Sequence, residues 1–300
     1  MKILGCFKVV PDLDLVAEED WELEGQLHVD TSYVKPIWNC FDESALEMML
    51  KLSDLSGSFN IVFELSALTI GKEKDESFLK TLYALGYAHA VRIMQEEPEN
   101  FAPESLAGAI AGYLKKYAMQ DVVVMGGQSS VGSNMKTPYL LAELLGWPCF
   151  TQVTSMEPAD ESCLKITCKT DGGSVIRTVK TPCVLVVGNA ENTYLRVPTL
   201  KDKMKLGKKP IERLTIEEVS EEIPMESAKL VSLENVERKR DTKWIEGATP
   251  QEKAEKLFES YLKERLEKLC DILWLSTDSC QKYRRRWKKC AALHKGLPLK

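Results

Sequence analysis

The chain has 300 residues, 44% of them hydrophobic and 28% charged, with a formal net charge of −5. That is globular composition, long enough for one large domain with an appendage or for two. The charge balance gives no reason to expect a nucleic acid or an anionic membrane surface as partner, and no run of about 18 apolar residues predicts a membrane span.

The first segment, Met1-Lys2-Ile3-Leu4-Gly5-Cys6-Phe7-Lys8-Val9-Val10, is too short and too broken by lysines for a signal peptide and predicts a strand over residues 2–10. Pro11-Asp12 ends it. A polar, acidic stretch follows to about residue 35, with Gly25 as a hairpin turn. Phe41 to Ser53 predicts a helix, because Ala45, Met48, Met49 and Leu52 recur at three-four spacing and Asp42 and Glu43 suit a first turn. Phe59 to Ile70 is expected as a strand, 73–85 as a helix closed by Gly86, and 90–94 as a strand. A helix follows from Pro103 to about Tyr117, then the continuous apolar run 121–125, a strand buried on both faces. A glycine- and serine-rich loop, Gly126 to Asn134, leads into a helix ending at Leu145-Gly146.

Strands thus alternate with helices at βαβ spacing through residue 146, which predicts an α/β fold: a mostly parallel sheet with helices on both faces. Four short strands are expected next, at 149–156, 163–169, 174–180 and 183–188, extending the sheet or forming a small antiparallel flap. Asp171-Gly172-Gly173 marks the hairpin between the middle two. The expected domains are 1–190 as an α/β nucleotide-binding-type domain, 191–248 as a polar arm, 249–268 as a docking helix and 269–300 as a basic tail. Thr249-Pro250-Gln251-Glu252 reads as a capping box. Leu257, Phe258, Tyr261, Leu262 and Leu266 form an apolar stripe, and Glu252–Lys256, Glu259–Lys263 and Glu264–Lys268 are ion pairs at i, i+4. The tail, with Arg284, Arg285 and Arg286 at its centre, is expected to stay solvated or dock on a partner.

Catalytic constellations are scarce. The chain holds three histidines, His28, His89 and His294, none near a nucleophile motif. Nine cysteines include no C-x-x-C pair, and Cys6 and Cys183 lie in apolar runs. They read as reduced core thiols of a cytoplasmic protein rather than as metal ligands. Neither a catalytic nor a metal site is expected.

The segment with chemical content is the loop from Gly126 through Gly127, Gln128, Ser129, Ser130, Val131, Gly132, Ser133, Asn134, Met135 and Lys136 to Thr137. It joins the carboxyl end of a buried strand to a helix start. Glycines allow close backbone approach, the helix start presents unpaired N–H groups, and Lys136 adds a charge, which suits a phosphate. The same features fit a glycine-rich connection, and both readings stay open on spacing alone.

Several segments in order resemble the β-subunit family of electron transfer flavoproteins, over about residues 1–268. Phe7-Lys8-Val9-Val10-Pro11-Asp12 is similar to that family's K-x-V-P-D start. Asn39-Cys40-Phe41-Asp42-Glu43-Ser44-Ala45-Leu46-Glu47 is similar to its N-P-x-x-E-x-A-x-E segment, with Cys40 in place of proline. Thr69-Ile70-Gly71, Asp171-Gly172-Gly173 with Pro182-Cys183-Val184-Leu185, Arg196-Val197-Pro198-Thr199-Leu200 and Lys208-Lys209-Pro210 continue the likeness. The resemblance implies an electron carrier subunit, not catalytic alone, in a heterodimer with an α-type subunit that holds most of the FAD and exchanges electrons with a dehydrogenase or other redox enzyme. It further implies a nucleotide pocket at Val9, Asn39, Thr69, Ile70, Gly71, Gly126, Gln128, Gly132, Ser133, Asn134, Met135, Lys136 and Thr137, holding AMP or a second FAD. Val131 and Ser133 replace aspartates usual in the family loop. That departure favours AMP or no nucleotide over FAD. A nucleotide-binding regulatory module of the same fold without a redox role is the alternative.

Overall fold

The computed structural model describes residues 1–17, 20–21, 29–95, 102–190, 194–219, 231–233 and 242–266. The chain divides into two compact units, Met1–Asn235 and Val236–Lys300.

In the first unit β1 (Lys2–Cys6) is followed by a two-stranded antiparallel ribbon, β2 (Val9–Pro11) and β3 (Pro36–Trp38), and by α1 (Cys40–Asp54) and the short α2 (Ser56–Phe59). Then come β4 (Glu64–Gly71), α3 (Glu76–Ala84), β5 (His89–Met94), α4 (Pro103–Lys116), β6 (Val122–Gly126) and α5 (Thr137–Leu145). Three antiparallel-linked strands, β7 (Cys149–Asp160), β8 (Cys163–Thr170) and β9 (Gly173–Lys180), precede β10 (Cys183–Val187). The last elements are α6 (Leu200–Leu206), β11 (Glu212–Thr215) and α7 (Ile216–Val219).

The strands make one nine-stranded sheet in the order β11-β5-β4-β1-β6-β10-β7-β8-β9. Pairing is parallel from β11 through β7 and antiparallel from β7 to β9. The expected α/β fold is therefore observed. Side chains alternate between faces, as a pleat requires. Ile3, Val122, Val124, Cys183, Leu185 and Val187 pack with Leu46, Met49, Leu79 and Leu82 of α1 and α3. Leu4, Cys6, Val123, Met125, Val184 and Val186 pack with Ala107, Ile110, Leu114 and Leu141 of α4 and α5 on the other face.

Three differences from the sequence reading have physical causes. The first strand stops at Cys6 instead of running to residue 10. Phe7 still donates its N–H to Leu68 O (3.0 Å), but Lys8 N turns to Asp42 Oδ2 (2.9 Å) and the chain leaves the sheet for the ribbon. The second strand begins at Glu64 rather than Phe59, because Ser56–Phe59 form a helical turn closed by Asn60 in the left-handed region (φ 54°). Of the two arrangements left open for the strands after residue 148, extension of the sheet is the one observed, with β10 inserted between β6 and β7. Residues within 191–248, expected as a polar arm, contain α6, β11 and α7. β11 carries one buried leucine, Leu214, and its pairing with β5 is nonlocal. Arg213 is ion-paired to Glu76 (2.7 Å), which also holds the buried Arg92 (3.0 Å).

In the second unit α8 (Pro250–Leu257) begins as expected: Thr249 Oγ1 accepts the Glu252 N–H (3.2 Å) and the Glu252 carboxylate accepts the Ala248 N–H (2.9 Å). It continues through one π-helical turn, Phe258–Leu262. The Glu252–Lys256 and Glu259–Lys263 pairs form at 3.0 and 2.8 Å. Leu257, Tyr261, Leu262 and Leu266 are exposed. Lys268, the hairpin expected at Gly25, and the tail from residue 269 lie outside the described residues, as do His28 and His294. No helix among the described residues is long and apolar enough to cross a membrane.

Candidate functional site

From β1 the chain proceeds to β4 and β5 on one side, then to β6 and β10 on the other. The strand order reverses at β1, and in open α/β sheets the crevice at the carboxyl ends of such strands is where ligands bind. Three connections border it here: Phe7 and Lys8 after β1, the turn at Gly71 after β4, and the loop 127–136 after β6.

The start of α1 closes the floor of this crevice. Asp42, Ala45, Leu46 and Met49 share one buried helix face, so the Asp42 carboxylate is carried beneath the sheet edge with the core residues. Its Oδ1 accepts the Gly126 N–H (2.8 Å). Its Oδ2 accepts the Lys8 N–H (2.9 Å) and a hydrogen from Asn39 Nδ2 (2.9 Å). One carboxylate thus ties together the ends of β1 and β6 and the cap of α1. Burial pushes the Asp42 carboxyl up to about 6, against the pull of those hydrogen bonds and of Lys8. Gly126 is required by this approach, since a Cβ there would lie 2.5 Å from Asp42 Oδ1 and 2.7 Å from Phe41 Cβ.

Asn39 continues the framework. Its Nδ2 also donates to Gln128 O (2.8 Å), so both amide hydrogens hold protein acceptors. Its Oδ1 is buried and has no hydrogen-bond partner among the described residues. An orphaned buried acceptor is costly unless something donates to it. The loop is tied further by Lys8 Nζ to Val131 O (3.2 Å), Ser129 Oγ to Val131 O (2.6 Å) and Gln128 Nε2 to Ser133 Oγ (3.0 Å). Burial lowers the Lys8 ammonium from its ordinary value, and Asp42 opposes that shift. Gly132, Ser133 and Met135 occupy left-handed backbone (φ 82°, 41° and 56°). A non-glycine residue there costs about 1–2 kcal/mol, and such strain concentrates at ligand clamps. α5 then begins with Pro138 in its first turn, no acidic residue there and no side-chain cap.

The residues expected from the sequence separate into groups. Asn39, Gly126, Gln128 and Ser133 are joined by hydrogen bonds, with Gly132, Asn134, Met135, Lys136 and Thr137 in the same loop and helix start. Thr69, Ile70 and Gly71 end β4 on the other side of β1. Thr69 is buried, and its hydroxyl donates to Phe7 O (2.9 Å), so it braces β1 against β4. Ile70 packs on the α4–α5 side of the core. Val9 sits in the ribbon opposite Trp38, whose ring touches Phe7 and Phe78 (centroids 5.0 and 4.7 Å).

Two members were missed: Asp42, read only as a first-turn acid, and Lys8. The spacing Asp42, Ala45, Leu46, Met49 placed the acid on the apolar face, and a buried acid at a helix start requires nearby donors. Among the described residues no cluster of His, Cys, Asp or Glu fits a metal ion, and Cys6, Cys40, Cys149, Cys163, Cys168 and Cys183 are free thiols.

Comparison with known proteins follows the same line. The Electron transfer flavoprotein domain family matches residues 26–219. A protein of Escherichia coli (strain K12) named "Putative electron transfer flavoprotein subunit YgcR" is 34% identical over 269 residues, covering 89% of this chain and 100% of that protein. The electron transfer flavoprotein subunit beta of Bacillus subtilis (strain 168) is 26% identical over 260 residues, covering 82% and 95%. That of Bradyrhizobium diazoefficiens is 27% identical over 246 residues, covering 81% and 93%. With this match across most of the chain, and with the sheet carrying a loop site at its point of reversal, the protein belongs to the electron transfer flavoprotein family, in its beta-subunit group.

Proposed function

We propose that this chain is the β-type subunit of a cytoplasmic heterodimer, an electron carrier without catalytic activity of its own. An FAD held mainly by an α-type partner exchanges electrons with a dehydrogenase or other redox enzyme, and the crevice described above holds an adenine nucleotide. Asn39 carries the nucleotide reading: one side-chain amide clamps the loop through Nδ2 and leaves a buried Oδ1 in want of a donor. An amino group on an adenine ring supplies one, and phosphates then lie along residues 132–135 and the start of α5, whose first N–H groups have no acceptor within the helix.

AMP is favoured over a second FAD. The two aspartates usual in the family loop are Val131 and Ser133 here, and the Val131 carbonyl is engaged by Lys8 and Ser129. The docking reading rests on segment 194–204, where Tyr194, Val197, Leu200 and Met204 are 81%, 85%, 74% and 63% exposed. Large apolar side chains displayed together mark a contact surface for another protein. Residues 189–210 and the final helix are assigned to the α-type partner or the redox enzyme.

Co-expression with an α-type subunit tests the assignment. The purified heterodimer should show a flavin absorption spectrum with one FAD per pair, and AMP should be released on denaturation. A complex without flavin would refute the carrier role and favour the regulatory module. Titration with AMP, ADP and FAD tests the pocket. Asn39→Ala should weaken AMP by about tenfold, the size of one lost buried hydrogen bond; an unchanged affinity would place the nucleotide elsewhere.

A further inference from the structure

Two segments singled out in the sequence, Glu43 to Glu47 and Arg196 to Leu200, meet across a separation of 149 residues. Glu43 Oε1 accepts the Leu195 N–H (3.0 Å), and Glu47 Oε2 accepts the Arg196 N–H (2.9 Å). The Arg196 guanidinium returns to Glu47 Oε1 through Nε (3.0 Å) and Nη2 (2.8 Å), and Nη2 also reaches Asp54 Oδ2 (2.8 Å). Glu47 is nearly enclosed, with a side-chain exposure of 7%, while Arg196 is at 38%. Leu195 is buried in the α1–α3 side of the core. Two consecutive amides and one side chain are thereby anchored on α1, and the flanking Tyr194, Val197 and Leu200 are turned out to solvent.

We propose that Glu47 is a positioning residue for the docking segment. Nearly enclosed itself, it fixes Arg196 and so sets where the following apolar residues Val197 and Leu200 are presented to the redox enzyme. The proposal rests on the docking reading of segment 194–204 given above. Its physical basis is preorganisation: an irregular segment held by charge-assisted bonds loses less conformational freedom when a partner binds. The same anchoring explains why an acidic residue, Glu47, lies among the core positions of α1, since its carboxylate and that of the half-buried Glu43 are occupied by backbone donors of 196 and 195.

The test uses the heterodimer with Glu47→Gln, Asp54→Asn and Leu200→Ser, and with Leu52→Val as a core variant on the same helix. Glu47→Gln keeps the volume and an acceptor but removes the charge. Hydrogen exchange at the Leu195 and Arg196 amides should accelerate by about tenfold in Glu47→Gln, with flavin content and midpoint potential unchanged. In steady-state electron transfer from the dehydrogenase, KM for the heterodimer should rise by about tenfold, with kcat within twofold of wild type. Asp54→Asn should give a smaller rise, and Leu52→Val should lower Tm without moving KM. If Leu200→Ser leaves KM unchanged, the segment does not dock the redox enzyme and the positioning proposal falls. If Leu200→Ser raises KM and Glu47→Gln does not, the docking reading stands and the positioning role is refuted. Exchange accelerated equally throughout α1 in Glu47→Gln would also refute it, as the signature of general destabilisation.

Discussion

Asp42 sits directly against Gly126: its Oδ1 accepts the Gly126 N–H at 2.8 Å, and a Cβ at position 126 would lie 2.5 Å from that oxygen. Gly126→Ala must therefore push α1 away from the end of β6. The expected loss of stability is about 1–3 kcal/mol, the usual cost of overpacking. Gly172→Ala, with nothing within 4 Å of an added Cβ, is the control and should be near neutral. Urea denaturation of the two variants measures the contrast; equal effects would mean that Asp42 yields freely.

Asp42 also makes stability depend on pH. Its carboxyl rises from 3.8 to about 6 on folding, chiefly through burial. The folded state then holds a proton that the unfolded state releases, so the contribution of this group falls as pH rises from 3.8 to about 6. Relative to Asp42→Asn, which does not titrate, the wild type should lose about 2 kcal/mol between pH 4 and pH 7. Urea midpoints across that range measure it. A wild-type-minus-variant difference that is flat with pH would show the carboxyl unshifted.

Toward the β11 edge of the sheet, Glu76 neutralises Arg92 and binds Arg213 of the edge strand. Glu76→Gln removes the carboxylate paired with the buried Arg92 guanidinium and leaves Asp75 as its remaining acidic neighbour, at a cost of about 3 kcal/mol. Thermal unfolding should show the loss, and hydrogen exchange should show β11 released before β5. Arg213→Ala should cost far less, because its side chain is half exposed.

Backbone strain in the loop predicts a change of opposite sign. Met135 adopts φ 56° with its side chain exposed. Met135→Gly removes about 1–2 kcal/mol of steric cost, offset by about 0.5–1 kcal/mol of extra chain entropy in the unfolded state. Stability should hold or rise by less than about 1 kcal/mol, as calorimetry would report. A loss beyond 1 kcal/mol would show that the methionine packs on something essential to the loop.

The α/β class was legible because βαβ spacing and strand burial are local patterns: Val122 to Met125 reads as a two-sided buried strand and is one. Register at the two ends of the sheet was not. β11 has four residues and a single buried leucine, so its place depends on Arg213 meeting Glu76 far away in sequence. The glycine-rich loop was visible as a strand-to-helix connection. Its framework was not, because the role of Asp42 depends on which strand ends converge on it. The Arg196–Glu47 junction was hidden for the same reason, although both of its halves stood out as segments.

β10 enters the sheet between β6 and β7 only after the chain has built β7, β8 and β9. The meander of those three strands relies on neighbours in sequence, whereas β10 closes a gap flanked by strands made earlier. During synthesis on a ribosome the sheet therefore stays incomplete until β10 emerges. The meander can fold as it emerges, but β6 has an open edge until residue 187 is out of the exit tunnel, and a nascent chain halted before that point exposes a sticky, template-like strand.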